Sequence, residues 1–264
     1  MQLEMLISSV NQKTEELLNK MHVNCDAVLV NQCDKNIEEK INIGNYQIKV
    51  FYRNERGVGK SRNFALEQAS KDILLFSDED IEYCDGYEQD ILNEFGKHPE
   101  ADLLLFNVEV CPERKTYWNE GFSRVKWYNC GRYPAYSIAV RKEALERSKV
   151  RYSELFGGGA KYSNGEDSLF LKQCADRGLR MYATDVVIGK EEARESTWFK
   201  GYTEKFFFDR GVLFAFLYGN MAWLWTLRFV LTKKEMFQGE IKQKQAYRLI
   251  REGIRQGEKE KKMQ

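Results

Sequence analysis

The stretch that decides the fold is ERGVGKSRNFALEQASKDILLFSDED, residues 55–80. It opens with a glycine-containing turn and continues through SRNFALEQAS (61–70), whose apolar positions predict a helix. It ends in the apolar strand DILLFSDED (72–80), which runs into three carboxylates. Because ligands of open α/β sheets bind at strand ends, these acids are candidates for a functional site.

The alternation of strands and helices extends outward in both directions from this stretch. We predict further strands at 3–9, 26–32, 46–53, 101–110 and 136–140, with helices after 140 and from 166. Asn11 is a candidate cap for a helix that follows the first strand. The pattern predicts an α/β fold with a mixed, mainly parallel sheet covered by helices. We place the α/β domain at 1–205 and a helical extension at 206–264.

Composition limits the classes of protein to consider. The 264 residues are 43% hydrophobic and 31% charged, which suits one large domain, and the net charge of +1 gives no reason to expect a nucleic-acid partner. The six cysteines are scattered and only two histidines are present, so the sequence favours neither a zinc site nor a disulfide scaffold. We expect reduced thiols, no signal peptide and a cytoplasmic protein.

Residues 54–61 nearly meet the P-loop pattern G-x-x-x-x-G-K-[ST]. Gly59, Lys60 and Ser61 supply its last three positions, but Asn54 stands where the first glycine belongs. That glycine lets the backbone wrap around phosphates, which Asn does less readily. The alternative is a plain helix start in which Ser61 is the cap.

Two acidic motifs carry most of the chemical information. Asp78, Glu79 and Asp80 would repel one another unless a cation such as Mg²⁺ or Mn²⁺, or hydrogen-bond donors, neutralised them; the alternative is a solvated acidic turn. Glu166 and Asp167 open a predicted helix, where the helix dipole alone favours acids. The same dipole would keep Asp167 ionised, so it could serve as a general base.

In this order, the motifs resemble the family-2 glycosyltransferases of the GT-A (Rossmann-like) fold. The matching segments are LISSVNQ, VLVNQCDKN, residues 55–80, GGGAKYSNGEDSLFLKQCADRG and ARESTWF. The resemblance runs from about Leu3 to Phe208. It implies transfer of a sugar, with inversion, from a nucleotide diphosphate sugar to an acceptor hydroxyl. The enzymes that it most resembles make bacterial capsule and other surface polysaccharides.

The resemblance also implies roles for individual residues. Asp167 would be the catalytic base and Glu166 would orient it or the acceptor. Asp80 would hold Mn²⁺ or Mg²⁺ on the diphosphate, and Asp78 would lie near the metal or the ribose. The remaining implied donor contacts are Ser8, Asn11 and Asp34 near the base and Arg62 near the nucleotide.

One departure from the family concerns a histidine that many relatives carry before the Ser-Thr-Trp segment. Here IGKEEARESTW contains none. Either Lys190 contacts the diphosphate or Glu191 binds the metal, and both hypotheses stay open. Trp118, Trp127 and Trp198 are candidates for stacking on a sugar, although core packing is the expected role of each.

The C-terminal extension is aromatic and then basic. Residues 212–231 form an apolar window that could span a bilayer, lie in its interface, or pack as helices on the catalytic domain. Between 232 and 264 there are ten Lys/Arg and five Asp/Glu, and IKQKQAYRLIREGIRQ predicts a basic amphipathic helix. A saccharide or lipid-linked saccharide acceptor would suit a protein that contacts the inner face of the cell membrane.

Three rival functions remain at this point. A nucleotidyltransferase on a similar sheet is disfavoured by the Glu166-Asp167 motif late in the chain. A P-loop nucleotide hydrolase is opposed by Asn54. A non-catalytic saccharide-binding protein on a transferase fold is disfavoured because Asp78, Asp80, Glu166 and Asp167 are all present.

Overall fold

A computed structural model describes residues 1–192, 201–237, 239 and 241–263. A ten-stranded mixed sheet runs through the α/β part. Its strands are β1 (Leu3–Val10), β2 (Asp26–Gln32), β3 (Ile37–Ile43), β4 (Tyr46–Arg53), β5 (Ile73–Asp78), β6 (Ile81–Tyr83), β7 (Leu103–Glu109), β8 (Ser123–Val125), β9 (Ile138–Arg141) and β10 (Met181–Glu191).

The strand order is β3-β4-β2-β1-β5-β9-β7-β10-β6, and β8 pairs with β10. The run β4-β2-β1-β5 is parallel, as is the β7–β10 pair, whereas β3, β9, β6 and β8 pair antiparallel to their neighbours. The carboxyl ends of β1, β2, β4 and β5 therefore meet at one edge, where the sequence places the acidic motif. The predicted α/β fold with a mixed sheet is confirmed.

Helices cover both faces of the sheet. The α-helices of the described chain are α1 (Thr14–Lys20), α2 (Val58–Gln68), α3 (Tyr87–Lys97), α4 (Lys142–Ser148), α5 (Glu166–Asp176), α6 (Glu204–Tyr218), α7 (Ala222–Thr232) and α8 (Gln243–Lys262), of which α1 to α5 pack on the sheet. One core layer joins the sheet to α2, α4 and α5, and the other joins it to α1 and α3. Side chains on both faces of the central strands are buried, which explains their continuous apolar runs.

Several predicted boundaries need correction. Ser61 is not a cap, because α2 begins at Val58 after Gly57, whose φ of 131° only glycine adopts readily. Asn11 does not cap α1, which begins at Thr14; Asn11 has a φ of 52° and donates its backbone N–H to the Gln32 carbonyl. The strand β3 was missed, because only two of its side chains are even half-buried. The segment 46–53 is therefore the fourth strand.

The C-terminal extension consists of three helices. A 3₁₀ turn at Gly219–Met221 divides the apolar window 212–231 between α6 and α7. Within the described ranges, no helix is both long enough and apolar enough to cross a membrane. The helix α6 begins at Glu204, so the boundary predicted between 205 and 206 falls inside its first turn.

The extension packs tightly and touches the α/β part. The helices α6 and α8 approach so closely that a Cβ on Gly211 would lie 2.0 Å from the Ile250 carbonyl oxygen. Leu213 of α6 shares a buried cluster with Phe156 and Leu169 of the α/β part. This confirms that helices of the extension pack on the rest of the chain.

Candidate active site

The side chain of Arg62 lies at the centre of a buried charge cluster. Arg62 comes from α2, which returns from the carboxyl end of β4 alongside β1 and β2. Its Nη2 donates to Asp78 Oδ1 and its Nη1 donates to Asp167 Oδ1, both over 2.7 Å, and Glu166 Oε1 lies 3.6 Å from Nη1. The cluster thus joins the acidic end of β5 to the acidic start of α5.

Three carboxylates against one guanidinium leave the cluster with an excess of negative charge. The side chain of Arg62 is only 3% exposed and lies 5.0 Å from the ring of Tyr152. Although burial alone would lower the pKa of Arg62, Asp78 and Asp167 hold that pKa well above its usual value. Its Nε is buried without a hydrogen-bond partner in the part of the chain that is described. The arginine therefore stays charged and is aimed at the site rather than at solvent.

The carboxyl group of Asp167 is poised to exchange a proton near neutral pH. Burial raises the pKa of Asp167 to about 7; Glu166 and Asp78 add to this effect, and Arg62 opposes it. Burial likewise raises the pKa of Glu166. Burial and the neighbouring acids therefore act against the helix dipole, which was expected from the sequence to keep Asp167 ionised. A base with a pKa near the working pH is a better proton acceptor than a carboxylate with an ordinary, lower pKa.

Backbone contacts fix the Asp167 carboxylate from the other side. The N–H of Ala135 donates to Asp167 Oδ2 over 3.0 Å. Each carboxylate oxygen keeps a further lone pair after these bonds, so Asp167 can still accept a proton. The next residue, Ser168, donates its hydroxyl to the Gly131 carbonyl, which ties α5 to the loop 129–135.

A glycine-rich loop at 157–159 closes one side of the cluster. A Cβ on Gly157 would lie 2.6 Å from Val58 Cγ1 and 2.8 Å from Glu166 Cδ, so only glycine fits between α2 and α5. The C-terminal extension supports the same loop, because Asp209 of α6 accepts hydrogen bonds from the backbone N–H and the hydroxyl of Ser163. The predicted acceptor loop thus lies directly against the acidic pair of α5.

The P-loop interpretation was wrong in structural terms. A P-loop offers free backbone N–H groups to phosphate. Here the N–H of Gly57 donates to Gln32 Oε1 over 2.8 Å, and the N–H of Val58 donates to the Gly158 carbonyl over 2.9 Å. Lys60 is exposed on the outer side of α2. The turn is therefore a packing element that brings Arg62 into the site.

The three acids after β5 have different surroundings. Glu79 turns back and accepts a hydrogen bond from the N–H of Val10. Burial raises the pKa of Asp80 to about 6, and Asp78 adds to the shift. The side chain of Glu191, at the end of β10, is 3% exposed and bound to Arg114. Burial raises the pKa of Glu191 to about 7, and the negative charges of Asp80 and Asp78 add to this shift.

These oxygen donors are of the kind that Mn²⁺ and Mg²⁺ prefer. Among the described residues, no group of three such ligands is close enough to hold an ion as it stands. The repulsion between these acids nevertheless fits a cation, because a nearby divalent ion would favour the ionised forms of Asp80 and Glu191, whose pKa values are raised.

Lys190 and Glu191 were the two candidates for the role of the missing histidine. As neighbours on β10 they point to opposite faces of the sheet. Lys190 is 56% exposed and forms an ion pair with Glu82 over 3.2 Å. The side chain of Glu191 is buried, and its charge interacts with that of Asp80, so Glu191 stays a candidate for a metal contact.

Ser8 lies near the carboxyl end of β1 in register with Asp78, and Asn11 and Asp34 follow the ends of β1 and β2 at the same edge of the sheet. Ser8 is buried and its hydroxyl is hydrogen-bonded to that of Ser61 over 2.8 Å. Asn11 and Asp34 are exposed. Ser8 thus lies beside the strand that carries Asp78, whereas the side chains of Asn11 and Asp34 lie at the surface.

Not every sequence-based candidate reaches the site. Trp118 and Trp127 are 38% and 41% exposed, so core packing was the wrong expectation for both. Trp198 and the ARESTWF motif fall outside the described residues. Sequence reasoning missed Arg114 and Tyr152, since neither lies in a recognisable motif; only the fold brings them to Glu191 and Arg62.

Comparison with known proteins agrees with this geometry. A sequence profile of glycosyl transferase family 2 matches residues 8–147. No curated protein sequence matches the chain significantly. Among solved structures, S. aureus TarS 1-349 superimposes with a TM-score of 0.61 at 15% identity, over 92% of this chain and 76% of TarS 1-349.

Two further structures contain nucleotide sugars. S. aureus TarS 1-349 in complex with UDP-GlcNAc has a TM-score of 0.60 at 16% identity, over 96% of this chain and 72% of its own. The mannosyltransferase PcManGT from Pyrobaculum calidifontis, in complex with GDP-Man and Mn²⁺, has a TM-score of 0.53 at 13% identity, over 98% of this chain and 75% of its own. At such identities the likeness establishes the fold.

Proposed function

The chain belongs to glycosyl transferase family 2, and we propose that it transfers a sugar, with inversion, from a nucleotide diphosphate sugar to an acceptor hydroxyl. The observation that carries this proposal is the buried Arg62 bridge between Asp78 and Asp167. It joins the strand end at which a donor would bind to the carboxylate that would accept a proton.

In the proposed step, Asp167 takes the proton from the acceptor hydroxyl. The acceptor oxygen forms a bond to the anomeric carbon while the bond from that carbon to the diphosphate oxygen breaks. The nucleoside diphosphate leaves with the bonding electrons, and the configuration inverts because attack and departure occur on opposite sides. Glu166 helps by raising the pKa of Asp167, which strengthens it as a base.

Asp80, Asp78 and Glu191 are the residues that would hold Mn²⁺ or Mg²⁺. When bound, such an ion stabilises the negative charge on the departing diphosphate. The crystallised mannosyltransferase with GDP-Man and Mn²⁺ supports a divalent ion in this fold. The residues Ser8, Asn11 and Asp34 would contact the nucleoside, and Lys190 would make at most an outer contact with the diphosphate.

The acceptor in this proposal is a saccharide or a lipid-linked saccharide of a bacterial surface polysaccharide such as a capsule. The glycine-rich loop at 157–159 supports an acceptor close to Asp167, because the loop packs directly against Glu166, the neighbour of Asp167. The exposed rings of Trp118 and Trp127 are candidates for stacking on more distant sugars.

A thermal-shift panel tests the proposal directly. UDP-GlcNAc, GDP-Man, other nucleotide diphosphate sugars, free UDP and GDP, and ATP are each added with and without Mn²⁺. We expect one diphosphate sugar to raise Tm in the presence of metal. Stabilisation by ATP alone, or by saccharides without any nucleotide, would refute the proposal in favour of a hydrolase or a saccharide-binding protein.

A further inference from the structure

The helix α7 exposes an apolar stripe that no described part of the chain covers. Its large exposed side chains are Trp223 (63% exposed), Leu224 (49%), Leu227 (44%) and Leu231 (55%). They recur at helical spacing along one face, whereas Ala222, Thr226 and Val230 on another face are buried in the extension. Scattered exposed leucines are ordinary, but a stripe of this kind marks an interaction surface.

Positive side chains border this stripe. Arg228 lies at its edge and stacks on Trp225, and the exposed Lys233 follows the end of the helix. The start of α8 is fastened beside the end of α7, because Gln243 Nε2 donates to the Val230 carbonyl over 2.8 Å. Lys242 and Lys244, the chain neighbours of Gln243, therefore begin α8 close to the end of α7.

The basic surface continues along α8. A shallow groove of about 540 Å³ runs over its exposed face. The cations that line it are Lys242, Lys244, Arg248, Arg251 and Arg255. Among the described residues that line the groove, Glu252 is the one acid, and it lies 3.8 Å from Arg248. The opposite face of α8 is packed against α6 through glycines, so the charged face stays outward.

We propose that α7 and the basic face of α8 form a docking surface for an anionic lipid bilayer. The apolar stripe would enter the interface between headgroups and acyl chains, and the bordering cations would pair with lipid phosphates. Trp223 suits that depth, because tryptophan favours the bilayer interface. A protein partner or a second copy would not need a row of five cations beside the apolar stripe; an anionic surface does.

This inference does not depend on the proposed sugar transfer, since bilayer binding can be measured without substrate. It does bear on the acceptor, because α6 joins this surface to the loop that precedes Asp167 through the Asp209–Ser163 contact. A docked enzyme would therefore keep its acceptor loop near the bilayer.

Vesicle co-sedimentation of the full chain tests the surface. The probes are phosphatidylcholine vesicles with and without about one-third phosphatidylglycerol. We expect binding to the anionic vesicles only. The double substitutions Trp223→Ser with Leu227→Ser and Arg248→Gln with Arg251→Gln should each weaken binding about tenfold or more. The matched control is Ile37→Ser with Lys40→Gln, two exposed positions on β3, and it should bind like the unaltered chain.

All substituted side chains are exposed, so we expect the melting curves of the variants to match that of the unaltered chain. Matching curves would show that the variants fold. The proposal is overturned if the unaltered chain does not bind anionic vesicles. It is overturned likewise if the Trp223/Leu227 variant binds them as tightly as the unaltered chain does. It is also overturned if analytical ultracentrifugation finds a stable dimer that this variant abolishes, because the occupant would then be a second copy of the chain.

Discussion

Arg62 Nη1 donates a 2.7 Å hydrogen bond to Asp167 Oδ1, although 105 positions separate the two residues in the chain. The same guanidinium binds Asp78, so one buried cation joins the two acidic motifs. Arg62 therefore fixes the distance between the end of β5 and the start of α5, and in the proposed mechanism it is a positioning residue for the donor edge and the base.

Replacing Arg62 should destabilise the fold, because Arg62 is the counter-charge of three acids. Arg62→Gln leaves Asp78, Glu166 and Asp167 buried without a counter-charge, which should lower the free energy of unfolding by about 3–5 kcal/mol. Urea unfolding at neutral pH measures the change. Arg151→Gln is the control, because Arg151 is half-exposed and 3.9 Å from Glu67; it should cost less than about 0.5 kcal/mol. A similar small loss for Arg62→Gln would contradict the account.

The pH dependence of kcat/KM should report the catalytic carboxyl. Because the pKa of Asp167 is raised to about 7, its ionised form is lost as pH falls through that value, and the rate should fall with it. The apparent value belongs to the coupled acids rather than to one residue. Asp78→Asn removes a negative charge that raises this pKa. The fall in the residual activity on the acid side should therefore occur at a lower pH in this variant than in the unaltered enzyme. A fall at an unchanged or higher pH would exclude this coupling.

Divalent metal should stabilise the protein more at higher pH. The pKa values of Asp80 and Glu191 are raised to about 6 and about 7 in the folded protein. Between about pH 4 and 7 the folded state therefore holds more protons than the unfolded state. As a result, the contribution of these two acids to the free energy of unfolding falls as pH rises. Mn²⁺ competes with those protons. The increase in Tm produced by Mn²⁺ should therefore be larger near pH 8 than near pH 5.5.

Asp80→Asn should remove most of that metal effect. The exposed Asp85→Asn is the matched control and should preserve it. Equal metal-induced shifts for both variants would place the ion elsewhere.

The contact between α6 and α8 can be tested with two helical glycines. A Cβ on Gly211 would lie 2.0 Å from a backbone oxygen of α8, whereas a Cβ on Gly96 of α3 would meet nothing within 4 Å. Gly211→Ala should destabilise the fold by about 1–3 kcal/mol, and Gly96→Ala should stabilise it by up to about 1 kcal/mol. Thermal unfolding distinguishes them. Equal behaviour would show that the two helices do not pack as described.

Much of the α/β part could be predicted, because its strands are continuous apolar runs. The strands at Asp26–Gln32 and Tyr46–Arg53 have the predicted bounds. The edge strand β3 escaped prediction because its exposed, charged side chains carry no core signal. The start of α2 was misplaced because Gly57, rather than a side-chain cap, sets it.

The acidic residues of the candidate site were found from the sequence, but their relationships were not. Local spacing identified Asp78, Asp80, Glu166 and Asp167. It could not show that Arg62 lies between two of them, since burial and long-range packing decide that. Burial also raises the pKa of Asp167. The helix dipole, which is the effect that the local sequence predicts, would instead lower this pKa.

The most direct test of the central claim is release of nucleoside diphosphate from the donor that the thermal-shift panel identifies. Asp167→Asn should keep donor binding and the fold but lower kcat about 10²–10⁴-fold, because the acceptor hydroxyl or water loses its base. Asp176→Asn, at the exposed far end of the same helix, should retain full activity. If Asp167→Asn turns over the donor as fast as the unaltered enzyme, Asp167 is not the base.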